Sequence, residues 1–146
     1  MIEERFRPKL TVSESQRENI LGVLKEILEN NEKIIFAYLF GSFDEGNTFR
    51  DIDIGIYITQ PDKDIESEIK LKRALTEETV YPVDVSVINN APPDVKIRVL
   101  EGTILICRDR ELMTDFIEKA GTQYIEYSHL RKIADDAIRE AIYAQS

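Results

Sequence analysis

Apolar residues follow one another or alternate with polar residues in four short segments of the chain. Residues 34–40 are continuously apolar, which is typical of a strand buried on both faces. Residues 51–59 and 82–88 alternate between apolar and polar positions, and residues 103–107 form a short apolar run. We therefore predict four β-strands.

Between these segments the apolar residues recur every three or four positions, the spacing of one helical face. This spacing predicts helices over residues 13–31, 64–79, 93–101 and 110–144. Ser13 and Gln16 stand where a capping box would start the first helix. Gly121 predicts a division or bend in the last one.

The element order, α-β-β-α-β-α-β-α, indicates an α/β (α+β) fold with a small mixed sheet flanked by helices. A chain of 146 residues is most simply one domain, and it buries roughly two-thirds of its unfolded surface. We predict a single domain over residues 1–146, in which residues 1–12 form an irregular arm and residues 109–146 form a C-terminal helical segment.

The charge is strongly acidic, with 19 basic and 28 acidic residues and a formal net charge of −9. Direct nucleic-acid binding is not expected, because it depends on cationic contacts to phosphates. A basic protein partner, or a small polyanion that arrives with its own metal, suits this charge better. The single cysteine, Cys107, excludes an intrachain disulfide, and no apolar stretch reaches ~18 residues. We predict a cytoplasmic protein without a membrane segment.

Two carboxylates open the second predicted strand, with one residue between them. Because strand side chains alternate faces, Asp51 and Asp53 should project on one side, roughly 6–7 Å apart along the chain. Asp84 lies on the polar side of the third strand. If these strands are neighbours, the three carboxylates share a face, an arrangement that calls for a divalent cation such as Mg²⁺.

A glycine–serine turn precedes this strand. Gly41 allows the backbone to approach a phosphate closely, and the following amides with the Ser42 hydroxyl can donate hydrogen bonds to its oxygens. Between two strands, and ahead of the paired carboxylates, the turn indicates a phosphate-binding loop.

These motifs resemble the minimal nucleotidyltransferases of the polymerase-β-like superfamily. The resemblance covers about residues 17–135 and rests on Phe-Gly-Ser-Phe at 40–43, Asp-Ile-Asp-Ile at 51–54 and Val-Asp-Val at 83–85. Further similar segments are Gly46, the strand at 102–109 and the tyrosine-containing helix at 124–127. The resemblance implies a polymerase-β-like nucleotidyltransferase fold.

It also implies roles for individual residues. Asp51 and Asp53 would bind two Mg²⁺ ions and the nucleoside triphosphate, and Asp84 would hold the ion that activates the acceptor hydroxyl and could take its proton. Gly41 and Ser42 would hold the β- and γ-phosphates. The implied reaction transfers AMP from ATP to a hydroxyl group and releases pyrophosphate.

The chain departs from the family between the two motifs. Only eight residues separate Ser42 from Asp51, and Asp44-Glu45 replaces a pair that is usually small and basic. Arg50 stands where the family has a small residue, and it could restore a phosphate contact.

Many proteins of this family are antitoxins paired with a HEPN-type ribonuclease toxin, so the resemblance implies that a tyrosine of such a toxin is the acceptor. Two alternatives remain open: a non-catalytic antitoxin that occludes its toxin, and adenylylation of a small molecule such as an aminoglycoside. The sequence leaves the oligomeric state open, with a homo-oligomer among the states it allows.

Overall fold

A computed structural model describes residues 8–61 and 65–144 of the chain. In this part, β1 (Leu10–Thr11) and α1 (Glu14–Glu29) are followed by β2 (Ile34–Phe40), α2 (Ser42–Glu45) and β3 (Thr48–Phe49). Next come β4 (Ile52–Ile58), α3 (Ile65–Thr79), β5 (Val83–Val87), α4 (Pro93–Leu100), β6 (Thr103–Cys107) and α5 (Arg110–Ala144).

The central sheet has four strands in the order β5-β4-β2-β6. Strand β4 runs parallel to β5, whereas β2 runs antiparallel to both β4 and β6. The predicted mixed sheet flanked by helices is therefore confirmed. Strand β5 lies at an edge, and the two strands that carry the aspartates are neighbours.

Two apolar clusters cover the two faces of this sheet. The first joins the sheet to α1 and α3, through side chains such as Leu24, Leu28 and Leu75. The second joins it to α4 and α5, through Val99 and Met113. The alternation along β4 decides which side chains face which cluster. Its isoleucines all belong to the first cluster: Ile52, Ile54, Ile56 and Ile58.

Helix α1 starts as its sequence predicts. The Gln16 amide donates to Ser13 Oγ at 3.1 Å, and the Ser13 amide donates to Gln16 Oε1 at 2.8 Å, which completes the capping box. The capping box pairs two backbone donors that the first helical turn leaves without helical partners.

The segments around β2 and β4 are more regular than predicted. Leu10–Thr11, placed in the irregular arm, pairs with Thr48–Phe49 as a two-stranded antiparallel sheet. Residues 1–7 of the arm lie outside the described residues. The loop at 41–50, predicted from its polar and turn-forming residues, contains both β3 and α2. Short elements of this kind depend on pairing with distant residues, which local patterns do not reveal.

A division or a bend was predicted at Gly121. Helix α5 is continuous through this residue, so the division into two helices is wrong. A glycine costs a helix only about 1 kcal/mol relative to alanine, which a long helix tolerates.

The last 24 residues of α5 hold no buried side chain, and large apolar residues are exposed there. Ile125 is 71% exposed and Leu130 is 65% exposed. None of the helices in the described residues is both long and apolar enough to cross a membrane.

Candidate active site

The Gly41–Ser42 turn lies at the end of β2 and leads directly into α2. Gly41 has φ 78° and ψ −158°, a backbone conformation that side chains with a Cβ rarely adopt. A Cβ at this position would lie 2.3 Å from Asp53 Oδ2. Both constraints require glycine here, and the second places the Asp53 carboxylate against the backbone of the turn.

Asp53 occupies the second position of β4, and β4 lies between β5 and β2 in the sheet. Its register partner on β2 is Phe40, the residue before the turn, and its partner on the parallel strand β5 is Asp84. Register partners on adjacent strands point to the same face, with strands about 4.8 Å apart. The pairing therefore places the side chains of Asp53 and Asp84 next to each other on the face that α4 and α5 cover further along.

Asp51 directly precedes β4, which begins at Ile52 rather than at Asp51 as predicted. The Ile52 amide donates to Pro82 O at 2.8 Å, which fixes this end of the strand beside β5. The Asp51 side chain is only 8% exposed. The carboxylate of Asp51 is therefore largely removed from solvent at the start of β4.

Asp84 has a cationic partner on α3. Lys72 Nζ lies 3.2 Å from Asp84 Oδ1, in an ion pair whose two side chains are 51% and 35% exposed. Exposed pairs of this kind contribute little to stability. The contact with Lys72 places a positive charge beside the Asp84 carboxylate.

Carboxylate oxygens are the ligands that Mg²⁺ prefers, so the donor chemistry of Asp51, Asp53 and Asp84 fits a divalent cation. Within residues 8–61 and 65–144, however, no three acidic, histidine or cysteine side chains are grouped as ligands of one ion. The register brings Asp53 and Asp84 together, and the three-carboxylate metal site stays a prediction.

The loop between the two motifs is held by hydrogen bonds within it and to β6. The Arg50 amide lies 3.5 Å from Ser42 Oγ, and the Arg50 side chain is exposed. Thr103 Oγ1 donates to Asp44 Oδ1 at 2.6 Å. The first of the two acidic loop residues is therefore engaged by β6.

Arg17 belongs to none of the sequence motifs described above. It lies on α1, partly buried, and its guanidinium donates to backbone carbonyls of the loop, including Gly46 O at 3.0 Å. Nothing in the local sequence marks it, because its partners lie 26 to 29 residues further along the chain.

The family model described as "Polymerase beta, Nucleotidyltransferase" matches residues 23–111, more than half of the chain. The chain belongs to this family. The predicted resemblance and fold class are thereby confirmed at the level of the polymerase-β nucleotidyltransferases. The match includes the Gly41–Ser42 turn and all three aspartates, whereas Arg17 lies outside it.

Solved structures of other proteins have the same fold as this chain. One contains a tri-AMPylated Shewanella oneidensis HEPN toxin in complex with an MNT antitoxin, with 20% identity, a TM-score of 0.62 and coverage of 86% of this chain and 98% of that chain. Another is a toxin–antitoxin structure with AMP-PNP, with 21% identity, a TM-score of 0.64 and coverage of 88% and 99%.

A third is the MntA–HepT toxin–antitoxin structure, with 20% identity, a TM-score of 0.56 and coverage of 89% and 99%. At these identities the likeness shows the fold. A comparison with curated protein sequences gave no match.

Proposed function

We propose that this nucleotidyltransferase transfers AMP from ATP, with Mg²⁺, to a tyrosine of a HEPN-type toxin and thereby acts as its antitoxin. The observation that carries the proposal is the register of β4 and β5. It places Asp53 beside Asp84, while the Gly41 backbone packs against Asp53. In the proposed reaction the triphosphate and the attacking hydroxyl would meet at this pair of aspartates.

The three aspartates are assigned to the metal. Asp51 and Asp53 would hold two divalent ions together with the triphosphate, and Asp84 would hold the ion nearest the acceptor. Bound there, Mg²⁺ supplies charge neutralisation and polarisation of the phosphoryl oxygens. Asp84 would in addition accept the proton of the acceptor hydroxyl.

The turn is assigned to the phosphates. The backbone around Gly41 approaches the site closely, and the Ser42 hydroxyl lies at the first position of α2. Backbone amides in such a turn bind phosphate oxygens without adding side-chain bulk. Arg50, whose side chain is exposed and next to Asp51 in the chain, is assigned a further phosphate contact.

Two features of the chain support a protein as the acceptor. The second half of α5 exposes large apolar side chains, including Ile138 at 59% and Ile142 at 63%, and exposed apolar surfaces of this kind are typical of protein interfaces. The net charge of −9 suits a basic partner that binds RNA. The similar structures described above are toxin–antitoxin complexes, one of them with an AMPylated toxin, which supports the same partner class.

The test is AMP transfer from α-labelled ATP with Mg²⁺ to a purified HEPN-type toxin. The variant Asp51→Asn/Asp53→Asn/Asp84→Asn should lose about 10³-fold or more of the transfer rate, because it removes both the metal ligands and the proton acceptor. Asp109→Asn, an exposed aspartate before α5, is the matched control and should transfer AMP normally.

Toxin neutralisation by the same variants separates the proposal from occlusion. Loss of neutralisation together with loss of transfer is the expected result. Full neutralisation by the triple variant would instead support a binding antitoxin, which the short acidic loop at 43–50 favours. Transfer by the wild-type protein to an aminoglycoside but not to the toxin would contradict the proposed acceptor.

A further inference from the structure

Arg17 binds the far end of the short helix that follows the glycine–serine turn. Its guanidinium donates to the carbonyl oxygens of Phe43, Asp44 and Gly46, at 3.0 Å for Gly46 and 3.5 Å for Asp44. The same group lies 4.3 Å from the centroid of the Phe43 ring, which is fully buried. One side chain from α1 therefore holds both the backbone and the anchoring ring of α2.

Helix α2 needs an external partner of this kind. It has four residues, a length at which an isolated helix is not stable. Its N-cap residue, Gly41, provides no side-chain hydrogen bond, and no basic residue lies in its last turn. The guanidinium of Arg17 supplies a positive charge at the carbonyl end of α2, where the helix dipole favours a cation.

The two ends of α2 are one turn apart, so its C-terminal end determines where its N-terminal end lies. Its internal hydrogen bonds run from the Glu45 amide to Gly41 O and from the Gly46 amide to Ser42 O. A shift of the carbonyls that Arg17 holds would be transmitted through these bonds to Gly41 and Ser42. Gly41 in turn packs against the Asp53 carboxylate.

We propose that Arg17 is a positioning residue, which fixes the glycine–serine turn against Asp53 in the geometry that binds a nucleoside triphosphate. This inference rests on the proposed function. Arg17 itself contacts the C-terminal end of α2. It would act on the triphosphate only through the turn at the other end of this helix.

A second arginine provides a matched control. Arg108 donates from Nε to Ile34 O at 2.8 Å and from its guanidinium to the carbonyls of Glu29 and Asn31. It therefore makes the same type of contact as Arg17. Ile34 begins β2 and Phe40 ends it, so Arg108 lies at the end of the strand opposite the turn.

The experiment compares Arg17→Met, Arg17→Lys and Arg108→Met with the wild-type protein. Dissociation constants for ATP with Mg²⁺ and for AMP are measured by calorimetry, and KM and kcat for AMP transfer are measured separately. Arg17→Met should weaken ATP binding and raise KM for ATP about tenfold, because a displaced turn misplaces the β- and γ-phosphates. AMP, which lacks those phosphates, should bind Arg17→Met as it binds the wild-type protein. Arg108→Met should leave both affinities unchanged.

Arg17→Lys keeps the charge but not the fork that reaches three carbonyls, so an intermediate ATP affinity is expected. It also keeps the proposal testable if Arg17→Met does not fold. Wild-type ATP affinity in either Arg17 variant would overturn the proposal. An equal loss for ATP and AMP, or an equal loss in Arg108→Met, would also overturn it in favour of general destabilisation.

A different readout separates this inference from the proposed function. If the wild-type protein binds no ATP, the proposed function fails. Hydrogen exchange at the Glu45 and Gly46 amides then still tests Arg17. Faster exchange in Arg17→Met than in Arg108→Met is expected, and equal exchange would show that Arg17 does not position α2.

Discussion

The two faces of the central sheet differ in what they contain, although the same strands supply both. On the face towards α1 and α3, β4 contributes Ile52 and Ile54, which have no exposed surface and belong to a continuous apolar cluster. On the face towards α4 and α5, the apolar cluster covers only part of the sheet, and the remaining end carries Asp53 and Asp84.

The comparison shows how a short chain combines stability with a polar site. Because side chains alternate along a strand, the buried isoleucines of β4 hold the strand while Asp53 projects from the same backbone. A carboxylate on a strand fixed in this way is positioned more accurately than one on a loop. Changes on the first face should therefore affect folding, and changes at the polar end of the second should affect nucleotide transfer.

The largest expected effect is a loss of stability on the apolar face. Leu24→Ala removes a fully buried side chain of α1 from the first cluster and should lower the free energy of unfolding by about 2–5 kcal/mol. Chemical denaturation measures this loss, and KM for ATP of the folded fraction should not change.

Ile125→Ala on α5 is the control for this prediction, because its side chain is 71% exposed. It should change stability by less than about 0.5 kcal/mol. A similar loss from both variants would break the distinction between the buried face and the exposed helix.

A smaller effect, and one on activity, is expected at the glycine of the turn. Gly41→Ala places a Cβ where φ is 78° and where Asp53 Oδ2 would be 2.3 Å away, so either the turn or the carboxylate has to move. A displacement of about 1 Å can lower kcat/KM about 10²-fold, which steady-state AMP transfer measures.

Gly22→Ala provides the matched control for this change. Gly22 lies on α1 with nothing within 4 Å of the added Cβ, so alanine should raise stability by about 0.5–1 kcal/mol and leave transfer unchanged. Normal activity in Gly41→Ala would show that the close approach of Gly41 and Asp53 is not needed.

The smallest expected effect concerns pH, at a tyrosine in the second cluster. Burial raises the pKa of Tyr38, and the nearby Cys107 raises it further. The folded protein therefore holds this proton more tightly than the unfolded chain, whose tyrosines titrate near pH 10. The contribution of protonated Tyr38 to stability is complete below pH 10, and it is lost as the pH rises towards the higher pKa of Tyr38 in the folded state.

Denaturation between pH 9 and 11 should show this decline, and Tyr38→Phe should reduce it. Ultraviolet titration should show one tyrosine fewer among those ionising late in that variant. An unchanged titration curve would contradict the assignment to Tyr38.

The sequence predicted the elements of the fold closely, because apolar spacing is a local property. The Ser13–Gln16 capping box and the two-sided burial of β2 are both present. The same spacing placed the isoleucines of β4 in the core. The wrong prediction of a division at Gly121 has a local cause as well, since a single glycine weakens a helix without having to end it.

Only the tertiary structure decided which distant residues meet. The parallel pairing of β4 with β5 sets Asp53 beside Asp84, and the pairing of Leu10–Thr11 with Thr48–Phe49 orders a segment that sequence patterns predicted as an irregular arm. The contact of Arg17 with α2 likewise joins residues 26 to 29 positions apart. Residue spacing fixes the face on which a side chain lies because backbone geometry is periodic, whereas its partner on another element depends on how the whole chain packs.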